Sequence, residues 1–167
     1  GGTITTSGDY KIHTFTGDGN FVVSTAGNAP TNPGGGPNTV SYLVVAGGGA
    51  GGANGAGGGG AGGFREGRDI TPSHTASPLV LGSGLTITAT TYPVTVGAGG
   101  SGATHSACAN VKIPGSNSVF STITSAGGGG GAGSPTSATV GVAGGSGGGA
   151  GGRTNQAGGS GNTPPVS

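Results

Sequence analysis

Residues 42–63 read YLVVAGGGAGGANGAGGGGAGG: Tyr42, Leu43, Val44 and Val45 pass through Ala46 straight into glycine. The aromatic and β-branched half is strand-forming. The glycine half is not α-helix, because each glycine costs about 0.8–1 kcal/mol relative to alanine in a helix interior. It is also poor strand, with much backbone entropy to lose and no side chains to pack. Polyproline II geometry remains, with about three residues per turn, a rise of about 3.1 Å and no internal hydrogen bonds. Its N–H and C=O groups then need neighbours, and glycine lets neighbouring backbones close up because no Cβ intervenes. Fully extended, residues 47–63 would reach roughly 53 Å, so a turn near Ala53, Asn54 and Gly55 is expected.

The pattern recurs. Residues 91–96 (TYPVTV) lead into Gly97, residues 119–124 (VFSTIT) into the glycines from Gly127, and residues 139–143 (TVGVA) into those from Gly144. The module repeats without a fixed period, so a strict solenoid is not supported. Collagen fails on register: counting threes from Gly49 meets Gly52, Gly55 and Gly58 and then Ala61, a break that a triple helix does not tolerate. Ahead of this region, residues 3–6, 10–16 and 20–23 are β-branched and aromatic, and Gly17-Asp18-Gly19 suits a hairpin turn between the last two. Residues 26–38 and 64–85 are expected to be loops, the second followed by an alternating strand over 85–90. The expected fold is all-β with irregular structure and no α-helix. Short antiparallel strands lead into a bundle of polyglycine II helices. The chain divides into a β region at 1–46, a glycine-rich bundle at 47–161 and a tail at 162–167, together one compact unit.

Composition narrows the function. Of 167 residues 46 are glycine and only 5% are charged, against usual shares of about 7% and 25%. Leu, Ile, Val and Phe together number 27, which suits only a small core. Glycine-rich chains of high net charge stay disordered, but this chain has a net charge of +1 and a mean hydropathy of −0.01. Five Lys and Arg make no nucleic-acid footprint or basic membrane face. There is no apolar window of spanning length. The chain opens on Gly1 without a methionine, as a processed or excerpted segment would, and its one cysteine, Cys108, permits no internal disulfide.

The chemistry-bearing residues are few. Residues 47–52 satisfy G-x-G-x-x-G, but no amphipathic helix follows, so they are not a dinucleotide fingerprint. His105 and Cys108 stand three apart, with His13 and His74 elsewhere, short of the four ligands of a structural zinc site. With Asp9, Asp18, Glu66 and Asp69 as the only carboxylates and no nucleophile elbow, no enzymatic activity, cofactor or metal is expected. The most distinctive polar feature is the cluster Arg65, Glu66, Arg68 and Asp69. It is either a solvated loop or a contact to a ligand or subunit.

Residues 3–23 (TITTSGDYKIHTFTGDGNFVV), 42–49 (YLVVAGGG), 57–65 (GGGGAGGFR), 92–100 (YPVTVGAGG) and 117–131 (NSVFSTITSAGGGGG) together resemble the glycine-rich domain of bacteriophage tail-fibre and related virion proteins. The chain is also similar to tail-fibre adhesins whose polyglycine II helices pack as a sandwich. The resemblance implies an extracellular, virion-attached, non-enzymatic module for host-surface attachment. Its implied partners are other virion subunits, further copies of itself in a homo-oligomer such as a trimer, and a host cell-surface receptor. Candidate contact segments are 28–38, 65–78, 105–114 and 154–156. Candidate contact residues are Arg65, Glu66, Arg68, Asp69, His74, His105, Lys112 and Arg153. The rival expectations are a purely structural head fibre, capsid decoration or filament subunit, and an ice-binding protein.

Overall fold

The computed structural model describes residues 1–27, 38–53, 55–68, 80, 83–102, 112–133, 140–151 and 156–163. Among them there is no helix, and the strands are short and antiparallel. β1 (Thr3–Ser7) pairs with β2 (Tyr10–Thr14). β3 (Gly19–Val22), β8 (Thr91–Thr95), β9 (Ser118–Phe120) and β10 (Ile123–Ser125) make a four-stranded sheet in the order β10-β9-β8-β3. β4 (Thr39–Val40) pairs with β7 (Leu85–Thr86), and β5 (Tyr42–Val45) with β6 (Phe64–Gly67).

The strands do not stop at the glycines; they change geometry there and keep their register. In the β5/β6 pair Val45 faces Phe64. Directly beyond it Ala46 N–H donates to Gly63 O (3.0 Å), Gly49 to Gly60 (2.8 Å) and Gly52 to Gly57 (3.0 Å). Each step forward on one arm is matched by one step back on the other, without slip, but bonds now recur every third residue. That spacing is the three-residue turn of polyglycine II. The other hairpins behave alike. The register that pairs Thr95 with Val119 continues as Ser116 N–H to Ala98 O (2.9 Å), and the one that pairs Ser125 with Ser118 continues as Gly115 N–H to Gly128 O (2.9 Å).

The bundle has a centre. Residues 125–133 are buried throughout, although their side chains are little more than hydrogens and methyls. Gly128 and Gly131 donate to Gly47 and Ala50 (2.9 and 2.8 Å), while Gly129 and Ala132 donate to Ser146 and Gly149 (2.9 and 3.0 Å). Gly63, Gly60 and Gly57 donate inward to Ala126, Gly129 and Ala132, and Val142 donates to Gly130 (3.0 Å). This run therefore bonds to segments all around it, and the core of the protein is backbone against backbone. Only Gly2, Gly8 and Gly55 among the described glycines have positive φ. The bundle uses glycine for space rather than for turning: a Cβ on Gly127 would meet Gly115 O, and one on Gly131 would meet Gly57 O.

Side-chain packing is concentrated in an aromatic cluster on the sheets. Phe120 lies 5.9 Å from Phe21, 6.3 Å from Tyr92 and 6.4 Å from Tyr42, centroid to centroid. His13 packs edge-on against Phe21 at 5.0 Å, distances at which edge-to-face aromatic contacts stabilise.

Several expectations are corrected. The first hairpin is β1/β2, turning at Gly8 (φ 56) and Asp9, as in a turn with glycine first. Gly17-Asp18-Gly19 does not join two paired strands, since β3 pairs with β8, and the Asp18 carboxylate instead accepts the Val96 N–H at 2.8 Å. Residues 64–67 are a strand rather than the start of a loop, because β5 offers them a register. The strand expected over 85–90 ends early: Ile87 donates to Asn38 O (2.7 Å), and Thr88 turns to Tyr92. Among residues 139–143 the described ones are bundle, not strand. The turn near Ala53 and Gly55 is present, closed by the Gly52–Gly57 bond, with Asn54 outside the described residues.

Candidate functional site

The register of the runs gives the bundle two unlike ends. Run 46–52 leaves β5 and returns as 57–63 to β6. Residues 97–102 leave β8, and 112–116 return to β9, with Ala50 N–H bonded to Ile113 O (2.9 Å). The central run leaves β10 and its successor comes back, since Val142 stands beside Gly130 and Gly144 beside the start of the central run. Residues 145–149 then run out again, parallel to the central run, and the last segment returns: Gly159 bonds Gly148 (2.8 Å) and Asn162 bonds Gly145 (2.8 Å). Four connections between glycine runs are thus reached from the end remote from the sheets, whereas the turn at Gly144 and Gly145 lies at the sheet end. The described residues that flank them there are Ala53 and Gly55, Gly102 and Lys112, Gly133 and Val140, and Gly151 and Gln156.

The candidate contact residues do not share one end. Lys112, half-buried, belongs to the glycine tip. Arg65 and Glu66 lie on β6 and Arg68 just beyond it, at the sheet end. Arg65 Nη1 donates to its neighbour's carbonyl, Phe64 O, at 3.0 Å. Asp69, His74, His105 and Arg153 lie outside the described residues. No sequence pattern distinguished the two ends, because which end a loop occupies depends on the direction of its run.

Two features escaped sequence reasoning. On β5/β6, Leu43, Val45 and Phe64 are 60%, 52% and 41% exposed on one face, while Val44 between them is buried. Period-two alternation could have shown this had β6 been recognised as a strand. The second is an open hollow of about 200 Å³ beside the first hairpin, where Thr3, Thr14, Thr16, Phe15 and Asp18 meet. Its carboxylate is already engaged by Val96 N–H.

Electrostatics is mild. Tyr92 lies below the usual tyrosine range because its hydroxyl bonds the Thr88 hydroxyl (3.3 Å) and accepts the Thr88 N–H (2.8 Å), while partial burial raises Tyr42. Among the described residues no three of His, Cys, Asp and Glu gather as metal ligands.

A glycine-rich domain family model matches residues 23–165. The chain belongs to the glycine-rich domain family. No curated protein and no solved structure matches it. The glycine-rich domain so defined begins immediately after β3 and takes in the aromatic sheet strands β8 to β10 and all the glycine runs. The β1/β2 hairpin precedes it.

Proposed function

We propose that the chain is a non-enzymatic virion module that presents the tip of its polyglycine bundle to a host cell surface. The observation that carries this reading is that four of the connections between glycine runs leave from one end of the backbone lattice, the end remote from the sheets. Binding loops are characteristically held by rigid scaffolds in this way, and the resemblance to bacteriophage fibre domains supplies the setting. The bundle tolerates change in those connections because its register comes from the strands at the other end. Lys112 is the candidate contact at the tip, whereas Arg65, Glu66 and Arg68 serve the sheet end.

The test is binding of the fluorescently labelled chain to a panel of bacterial cells. Binding is expected to disappear when segments 103–111, 134–139 and 152–155 are replaced by Gly-Ser of equal length, and to survive Arg65→Ala and Arg68→Ala. A chain that binds no cells, or that binds equally after the tip replacements, contradicts the reading.

A purely structural role in a virion is the second reading. It is favoured by the exposed face of Leu43, Val45 and Phe64, since contiguous exposed apolar residues can mark protein–protein contacts. Labelled copies that join a particle or polymer without binding cells would select it.

A further inference from the structure

The β1/β2 hairpin precedes the family domain, and nine of its ten strand residues are exposed, Ile4, Tyr10 and Ile12 among them. It touches the remainder of the protein through His13, which packs on Phe21 and bonds Gly1 O at 3.0 Å. A two-stranded hairpin of this size is marginal in water, and three or more strands are needed for independent stability.

Its two edges differ. Ser7 and Tyr10 flank a two-residue turn, so they exchange hydrogen bonds, and alternation makes Thr5–Ile12 and Thr3–Thr14 bonded pairs as well. Thr6–Lys11 and Ile4–His13 are then the non-bonded pairs, whose backbone groups point outward. The outer edge of β2 carries Lys11 and His13, the kind of charged or titratable guard that deters strand addition. The outer edge of β1 carries Ile4 and Thr6, and the strand TITTS has no charge and no proline. Among the described residues neither Ile4 nor Thr6 has a backbone partner outside the hairpin.

We propose that β1 is a homotypic docking edge, on which a second copy of the chain pairs β1 to β1 antiparallel about a two-fold axis at Thr5. A second copy is the occupant that fits because the strand is complementary to itself. Centred on Thr5, Ile4 of one copy faces Thr6 of the other in both directions, so every outward backbone group is used, in about four hydrogen bonds. Thr5 meets its own counterpart in a Thr–Thr pair, a favourable cross-strand combination, and no like charges are opposed. Self-pairing of β2 would instead set Lys11 against His13. The product is a four-stranded sheet, β2-β1-β1-β2. Closed two-fold pairing of this kind is the commonest form of homo-oligomer.

Sedimentation of the 167-residue chain at high micromolar concentration tests this. The wild type is expected at twice the 15.0 kDa chain mass. Thr6→Pro removes an outward N–H while leaving the internal ladder intact and is expected to sediment at the single-chain mass. Thr6→Lys, which places a charge on the edge without altering the backbone, is expected to do the same. In a Cys108→Ser background, Thr5→Cys is expected to form an interchain disulfide on oxidation, since paired Cα atoms at a non-bonded site lie about 4.5 Å apart. Ile12→Cys is expected not to. A wild type at single-chain mass, a dimer that survives both Thr6 substitutions, or crosslinking through Ile12→Cys rather than Thr5→Cys overturns the proposal.

Discussion

Ala46 donates its backbone N–H to Gly63 O at 3.0 Å, one step beyond the pairing of Val45 with Phe64 and in the same register. That step is where a two-residue repeat becomes a three-residue one. Apolar and aromatic side chains set the alignment on the strand side, and glycine propagates it on the other by letting backbones approach without a Cβ.

If glycine serves as packing space, its replacement depends on where the missing Cβ would point. A side chain on Gly129 would meet Val142 O and Gly148 N. Gly129→Val is expected to lose at least about 3 kcal/mol, by the overpacking of a site that cannot relax. Gly58 lies in a neighbouring glycine run, but nothing lies within 4 Å of its Cβ direction. Gly58→Ala is therefore expected to stabilise by about 0.4–1 kcal/mol through the unfolded chain. Urea unfolding of the two variants checks both signs.

Ser125 is fully buried at the junction of β10 and the central run, and its Oγ has no hydrogen-bond partner. Removing an unsatisfied buried hydroxyl relieves a desolvation cost. Ser125→Ala is expected to be neutral or to stabilise by up to about 1 kcal/mol, as read by the denaturation midpoint.

Phe120 joins Phe21, Tyr42 and Tyr92 and so ties β3, β5, β8 and β9 together. Phe120→Ala is expected to cost about 2–3 kcal/mol, less than a fully buried phenylalanine, and to weaken the near-ultraviolet circular dichroism.

The tyrosines should titrate out of step. Hydrogen bonding with Thr88 lowers Tyr92 from the ordinary value of 10.0, and burial raises Tyr42. In an alkaline titration followed by phenolate absorbance, Tyr92→Phe should remove an early part of the curve and Tyr42→Phe a late part. The stability consequences have opposite signs. Tyr92 favours folding increasingly as pH rises through its lowered value. The Tyr42 contribution is present below the unfolded value and is lost as pH rises through the raised folded one.

Much of the fold is legible in the sequence because the segments 42–46, 91–96 and 119–124 carry strand-forming side chains directly before glycine. What the glycines cannot encode is which run lies beside which, since a bare backbone has no side chain to select a partner. The choice is inherited from strand pairs such as Val94 with Phe120. The misplaced hairpin has a similar origin: Gly17-Asp18-Gly19 and Gly8-Asp9 are comparable local turn signals, and the pairing of β3 with the distant β8 decides between them. Arg65 and Glu66 read as loop because charge is the visible local feature there, whereas the register with Val44 and Leu43 is not local. The separation of Lys112 from Arg65 follows from run direction and could not be read locally at all.

The most direct test of the bundle is residue-resolved amide hydrogen exchange over 46–63. Gly57, Gly60 and Gly63 donate to the central run, while Gly58, Gly59, Ala61 and Gly62 donate to none of the neighbouring runs. Protection is therefore expected at every third residue from Gly57 to Gly63, and at Ala46, Gly47, Gly49, Ala50 and Gly52 but not at Gly48 or Gly51. Protection that alternates every second residue, or that is absent throughout these runs, would contradict a polyglycine II core.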